Sequence, residues 1–188
     1  MNSVERAITE TRNWINNVVV GCNFCPFAAR ELKLDTIHYQ VESSTKPEAI
    51  LQAFLNECKR LDDNETIETS LLILTEGYLD FDDYLDLVDL AEQLIEAEDY
   101  EGTYQVASFH PDYRFAGAAP DDPANFTNRS IYPMLHLLRE DSIERVLENF
   151  RDPDSIPSNN MAFAKQKGFA AMEALRKACL VNDGNNTI

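Results

Sequence analysis

An alternation of strand-like and helix-like segments within the first 109 residues constrains the fold more than any other feature of the sequence. Three short runs rich in strand-forming residues predict β-strands: Thr36–Val41, Ser70–Thr75 and Thr103–Phe109. The two segments between them keep the apolar spacing of helices, and Pro47 and Asp80 stand where such helices begin. The order strand, helix, strand, helix, strand predicts an α/β fold whose parallel strands end at one edge of the sheet.

Helical patterns stand on both sides of this alternating region. The first runs from about residue 3 to residue 20 and stops at Gly21. A later helix is predicted from residue 141 or 142 to about 150, and the last one over about 158–181. Residues 134–139 fit either a fourth strand or a helical turn, because a short apolar run satisfies both patterns.

These segments together predict a single α/β domain over residues 1–181. We expect a central sheet of three or four strands with flanking helices, and the N- and C-terminal helices packed on it. Residues 182–188 are expected to form a frayed tail. A loop of about 20 residues follows the third strand, which is longer than compact domains usually carry without a functional reason.

The charge of the chain narrows the classes of partner. Asp and Glu number 33 against 16 Lys and Arg, a formal charge of −17 among 188 residues. Such a surface repels nucleic acids and anionic membranes, so we expect neither as a partner. The chain has only four cysteines and no apolar run as long as a membrane span, which predicts a cytoplasmic protein. The sequence indicates neither an oligomeric state nor a cofactor.

Cys25 is the first candidate for chemistry. It stands just before a predicted short helix that begins after Pro26, where the helix dipole and free backbone N–H groups lower a thiol pKa. A buried and inert cysteine is the alternative. The spacing of Cys22 and Cys25 also matches a redox pair, although the residues before it fit an amphipathic helix better than a strand.

His110 is the second candidate, because it follows the third predicted strand and opens the long loop. Ligand sites of open α/β sheets gather at that edge, and histidine serves as a base near neutral pH. The alternative is a histidine that caps the strand by hydrogen bonding to the loop.

The long loop and the segment after it hold the third group of candidates. Arginines held among short polar side chains could grip the carboxylate or phosphate of a small anionic molecule. The alternative is that these arginines pair with nearby acids and only hold the loop together. The candidates are Asp121, Asn125, Asn128, Arg129, His136 and Arg139. A zinc site is a further alternative, with Cys25, His110 and His136 as ligands, although their spacing matches no known ligand pattern.

Four motifs along the chain resemble those of a bacterial family catalogued as domain of unknown function 1415. They are N-x-C-P-F-A at 23–28, S-F-H-P-x-Y-x-F-A-G at 108–117, A-P-D-D at 119–122, and T-N-R-S-x-Y-P-x-L-H-L-L-R-E at 127–140. The chain departs from the family at Cys22, where an apolar residue is usual, and at Ile131, where proline is usual. The first departure weakens the redox-pair interpretation. The resemblance implies the same site residues, from Cys25 to Arg139, and no established activity.

The leading functional hypothesis is a cysteine-dependent hydrolase or group transferase that acts on a small anionic metabolite. Cys25 would be the nucleophile and His110 its base or orienting partner, with Asp121 also in the catalytic set. Asn125, Asn128, Arg129, His136 and Arg139 would bind the substrate. The alternatives are a non-catalytic module that binds a small anion or a protein partner, and a zinc-dependent protein with Cys and His ligands.

Overall fold

The computed structural model describes residues 1–148 and 150–181, so the predicted frayed tail, 182–188, lies outside the described residues. Four strands form one sheet: β1 (Ile37–Glu42), β2 (Thr69–Leu74), β3 (Tyr104–Phe109) and β4 (Met134–Arg139). The α-helices of the described residues are α1 (Ser3–Trp14), α2 (Ala28–Leu34), α3 (Pro47–Asp63), α4 (Phe81–Ala97), α5 (Glu140–Leu147), α6 (Ile156–Lys167) and α7 (Phe169–Lys177). The predicted α/β fold with flanking helices is therefore confirmed.

The sheet has the strand order β1-β2-β4-β3. Strands β1 and β2 are parallel, whereas β4 runs antiparallel to both β2 and β3. Strand β3 therefore runs in the same direction as β1 and β2, and all three end at one edge. The segment 134–139, for which the sequence left two alternatives, is a strand. It completes the sheet because it pairs on both sides.

Two helical layers cover the sheet. Along β2, Leu72 and Leu74 pack with α3 and α4, whereas Leu71 and Ile73 pack with the N- and C-terminal helices on the opposite face. This is why β2 is apolar at successive positions: both of its faces are buried. Each fully buried leucine or isoleucine of this kind contributes about 1.5–3 kcal/mol relative to an exposed one.

The N-terminal helix continues past α1 as a π-helical segment, Ile15–Val20, which reaches the predicted stop at Gly21. A Cβ atom at residue 21 would lie 2.3 Å from the backbone oxygen of Asn17, so only glycine fits there. The chain then turns through Asn23, whose φ of 56° is left-handed, and reaches Cys25 and α2.

The C-terminal prediction of one helix over 158–181 is wrong. The structure has two helices, α6 and α7, joined at Gly168. Gly168 adopts φ 82° and ψ 158°, a conformation that other residues reach only with strain. The apolar spacing continues across this break, which is why periodicity alone predicted a single helix. No helix of the described residues is long and apolar enough to cross a membrane.

Candidate functional site

A cavity of about 510 Å³ lies between the sheet and the helices that cover its N-terminal-helix face. Its volume is within the range of small-molecule binding sites. Strand residues Leu71 and Ala107 form part of its floor, and Trp14 and the Phe24–Ala28 turn form part of its walls. Apolar side chains from the last third of the chain close it further: Ile143, Leu147, Ile156 and Met161. The cavity is therefore mainly apolar.

Cys25 is half-buried in the wall of this cavity. The backbone N–H groups of Phe27 and Ala28 hydrogen-bond to its sulfur and lower the thiol pKa. Burial has the larger effect and raises the pKa above its ordinary value, because the thiolate is poorly solvated there. Cys25 is therefore a neutral thiol at neutral pH, with two donors in place for a negative sulfur.

His136 lies in the cavity floor on β4, opposite Ala107 of β3. Its Nε2 atom is 2.7 Å from the hydroxyl of Thr69, and its ring packs against Phe109 with centroids 5.9 Å apart. Part of the residue's surface is exposed, but the surrounding protein removes much of the hydration of the ring. This desolvation lowers the pKa of His136 to about 4, so the ring is neutral at neutral pH.

Two further polar side chains of the cavity wall, those of Glu31 and Asn128, have neighbouring partners. Glu31 accepts hydrogen bonds from Arg30 and from the hydroxyl of Thr36, at 2.6 and 2.5 Å. Asn128 donates to the backbone oxygen of Ser108, and its Oδ1 atom shares the single hydrogen of the Thr127 hydroxyl with the backbone oxygen of Ala124. These groups shape the wall, which also includes the side chain of Gln105.

Arg139 also lines the cavity, but its guanidinium group binds backbone oxygens of the protein. It donates to the backbone oxygens of Leu61 and Ile67, at 2.5 and 3.2 Å from Nη2, and lies over the ring of Tyr104. The C-terminal end of α3 is the negative end of its dipole, so a cation placed there is stabilising. Arg139 thus caps α3.

His110 does not line the cavity. Its ring is fully buried against Phe81 and Tyr84. Nε2 donates to the backbone oxygen of Tyr78 at 2.9 Å, and Nδ1 accepts from the backbone N–H of Asp112 at 3.0 Å. Burial lowers the pKa of His110, so both nitrogens of a neutral ring are occupied. This geometry matches the second interpretation from the sequence, in which His110 caps the end of the strand by hydrogen bonding to the loop.

Arg129 is buried beneath the long loop, with 7% of its surface exposed. It donates to the backbone oxygens of Tyr113 and Pro120 at 3.1 and 2.7 Å, and it lies over the rings of Phe126 and Phe169. Desolvation lowers the pKa of Arg129. Its guanidinium therefore holds two parts of the loop together.

Asn125 and Asp121 lie in the same loop and outside the cavity wall. Asn125 is fully buried, accepts from the backbone N–H of Phe115 and donates to the backbone oxygen of Ala119. Asp121 is exposed to solvent. Of the eight residues predicted from the sequence, the cavity thus brings together four: Cys25, Asn128, His136 and Arg139.

A family model for a protein family of unknown function, DUF1415, matches residues 6–174 of the chain. The chain belongs to this family. Neither the curated proteins nor the solved structures contain a match to the chain. For this DUF1415 protein, the geometry of the site is therefore the main guide to function.

The zinc alternative for this DUF1415 protein needs three ligands that converge. Within residues 1–148 and 150–181, no three His, Cys, Asp or Glu side chains are grouped as a metal ion would require. His110 in particular has both nitrogens engaged with the backbone, and it lies outside the cavity that holds Cys25 and His136. Cys25, His110 and His136 therefore do not converge on a common metal position.

Thr69 and Glu31 are among the polar residues of this DUF1415 site that sequence reasoning missed. Thr69 is the polar start of an otherwise apolar strand, which is a signal, but its contact with His136 follows from the pairing of β2 with β4. Glu31 is charged yet only 3% exposed, on a short helix whose sequence gives no sign of burial. The contact of Thr69 with His136 and the burial of Glu31 both depend on tertiary structure.

Proposed function

We propose that this protein binds a small, uncharged and mainly apolar organic molecule in the cavity between the sheet and its terminal helices. The observation that carries the proposal is the cavity itself, about 510 Å³ of space bounded by apolar side chains. Apolar side chains that line such a space are in contact with water, and a mainly apolar ligand that covers them removes this surface from water.

An uncharged ligand is favoured because the charged side chains near the cavity are already paired. Arg139 and Arg129, the predicted anion-binding residues, donate to backbone oxygens. Glu31 is held by Arg30 and Thr36. Transfer of a charged ligand into such a site would cost far more than transfer of an apolar one, because no free counter-charge receives it. A small anionic metabolite stays a prediction from the sequence.

A cysteine-dependent hydrolase or group transferase is the second candidate. The supporting observation is that Cys25 lies in the cavity wall just before α2, where the backbone N–H groups of Phe27 and Ala28 act to lower its pKa. Attack of this sulfur on an ester carbonyl would form a thioester with the protein and release the alcohol, which takes up the thiol proton. This candidate ranks second because burial raises the pKa of Cys25. In addition, both ring nitrogens of His110 bind backbone groups, so His110 does not act as a base for Cys25.

A cytoplasmic location in a bacterium is part of the proposal. The four cysteines are free thiols, which a reducing compartment favours. The formal charge of −17 still disfavours nucleic acids and anionic membranes as partners.

The binding proposal is tested by titration with naphthalene, a compact apolar probe, followed by isothermal calorimetry. We expect saturable binding to the wild-type protein and at least about tenfold weaker binding to Ala107→Leu, whose added carbons enter the cavity. Ala97→Leu makes the same change at an exposed position on α4 and should bind like wild type. Absence of saturable binding, or equal binding by both variants, would contradict the proposal.

The second candidate is tested by incubation with p-nitrophenyl butyrate and mass spectrometry of the intact protein. Acylation of wild type that Cys25→Ser abolishes, with p-nitrophenol released, would support it. No covalent adduct at Cys25 would leave binding as the function.

A further inference from the structure

The hydrogen bonds of Thr69 determine which nitrogen of His136 carries the proton. The Thr69 hydroxyl lies 2.6 Å from the backbone oxygen of Leu137 and 2.7 Å from Nε2 of His136. The hydroxyl has one hydrogen, and a carbonyl oxygen can only accept. Both short contacts are therefore satisfied only when Thr69 donates to Leu137 and Nε2–H of His136 donates to Thr69.

In the neutral ring this arrangement leaves Nδ1 of His136 as a hydrogen-bond acceptor. Within the described residues Nδ1 of His136 has no hydrogen-bond partner, and this atom is not fully shut off from solvent. It is therefore open to the cavity that the ring lines. The low pKa of His136 keeps the ring neutral above about pH 4.

We propose that the ligand of the cavity is an apolar molecule that carries one O–H or N–H group, which donates to Nδ1 of His136. This inference rests on the proposed binding function and narrows it to a ligand class. A fixed acceptor in an apolar cavity selects a donor, because a ligand without one leaves Nδ1 without water and without a partner. Thr69 is a positioning residue, since it acts only through the ring of His136.

The surroundings support this choice of contact. Glu31 already accepts hydrogen bonds from Arg30 and Thr36, so it competes little for the ligand's donor. Ala107 faces His136 across the β3–β4 pair, and its small side chain leaves space next to the ring.

The test compares three probes of similar shape: 2-naphthol, 2-methoxynaphthalene and naphthalene. We expect wild type to bind 2-naphthol about tenfold more tightly than either of the others, which corresponds to about 1.4 kcal/mol. In His136→Phe this preference should disappear while naphthalene still binds. The three dissociation constants come from titrations followed by amide chemical shifts.

A measurement on wild type keeps the test independent of whether the variant folds. Imidazole ¹⁵N spectra of the free protein should show Nε2 protonated and Nδ1 unprotonated, with the Nδ1 signal moving on addition of 2-naphthol. In Thr69→Val, which cannot accept from Nε2–H, a mixture of tautomers is expected, together with a weaker preference for 2-naphthol over 2-methoxynaphthalene.

The outcomes separate this inference from the proposed function. Equal binding of all three probes, or a proton on Nδ1 in the free protein, would overturn the donor contact and leave the cavity as a binding site. Binding of none of the three would overturn the proposed function and this inference with it.

Discussion

Acidification should destabilise this protein through His136 in a way that can be calculated. Burial lowers the pKa of His136 from its ordinary 6.5 to about 4 in the folded protein. The unfolded chain therefore binds a proton more readily between these pH values, so the free energy of unfolding falls as the pH falls through this window. Above pH 6.5 the ring is neutral in both states and the effect vanishes.

The magnitude follows from the two pKa values. A shift of one unit corresponds to about 1.36 kcal/mol, so acidification from pH 7 to pH 4 should remove about 3 kcal/mol of stability through this ring alone. Small domains are stable by only about 5–15 kcal/mol, so the loss is easily measured.

The assay is urea unfolding at several pH values for wild type and His136→Gln. Other groups whose pKa is lowered on folding, such as Glu57 and Glu173, also destabilise the protein in acid, but they do so in both proteins. The difference between the two curves isolates the ring. We expect wild type to lose about 3 kcal/mol more than the variant between pH 7 and pH 4. Parallel curves, or an imidazole pKa near 6.5 by NMR, would refute the burial argument.

Three further predictions concern the stability of the fold and the reactivity of Cys25. Tyr84→Phe should lower the free energy of unfolding by about 2–3 kcal/mol in urea, because the Tyr84 hydroxyl donates to Met134 and accepts from the backbone of Phe109, at 2.6 and 2.9 Å. Gly21→Ala should cost about 1–3 kcal/mol in the same assay, because the new Cβ would lie 2.3 Å from a backbone oxygen. Cys25 should react with iodoacetamide more slowly than free cysteine at pH 7.5, because burial raises its pKa; a rate above that of the free amino acid would contradict this.

The strands show what local pattern can and cannot predict. Strand β2 was predictable because a short apolar run fits a strand with both faces buried, and both are. The segment 134–139 fits two structures equally well, and pairing with β2 and β3 decides between them. The break at Gly168 was missed because a glycine inside a helical pattern is often tolerated.

The candidate site was harder to predict than the fold. Cys25 and His136 lie more than 100 residues apart in the chain and line one cavity, which depends on how α2 and β4 pack. Arg129 and His110 were expected to face a ligand, but their partners are backbone atoms. Every residue carries such atoms, so a sequence cannot show which arginine or histidine will be used to hold a loop.

The central claim is that the apolar cavity binds a small molecule, and intermolecular NOEs test it most directly. With ¹³C-labelled protein and unlabelled naphthalene, we expect NOEs from the probe to the methyl groups of Leu71, Ala107 and Ile143, which line the cavity. The methyl groups of Leu72 and Leu74, on the opposite face of the sheet, should show none. Saturable binding with NOEs only to that opposite face, or with none to the cavity, would contradict the account.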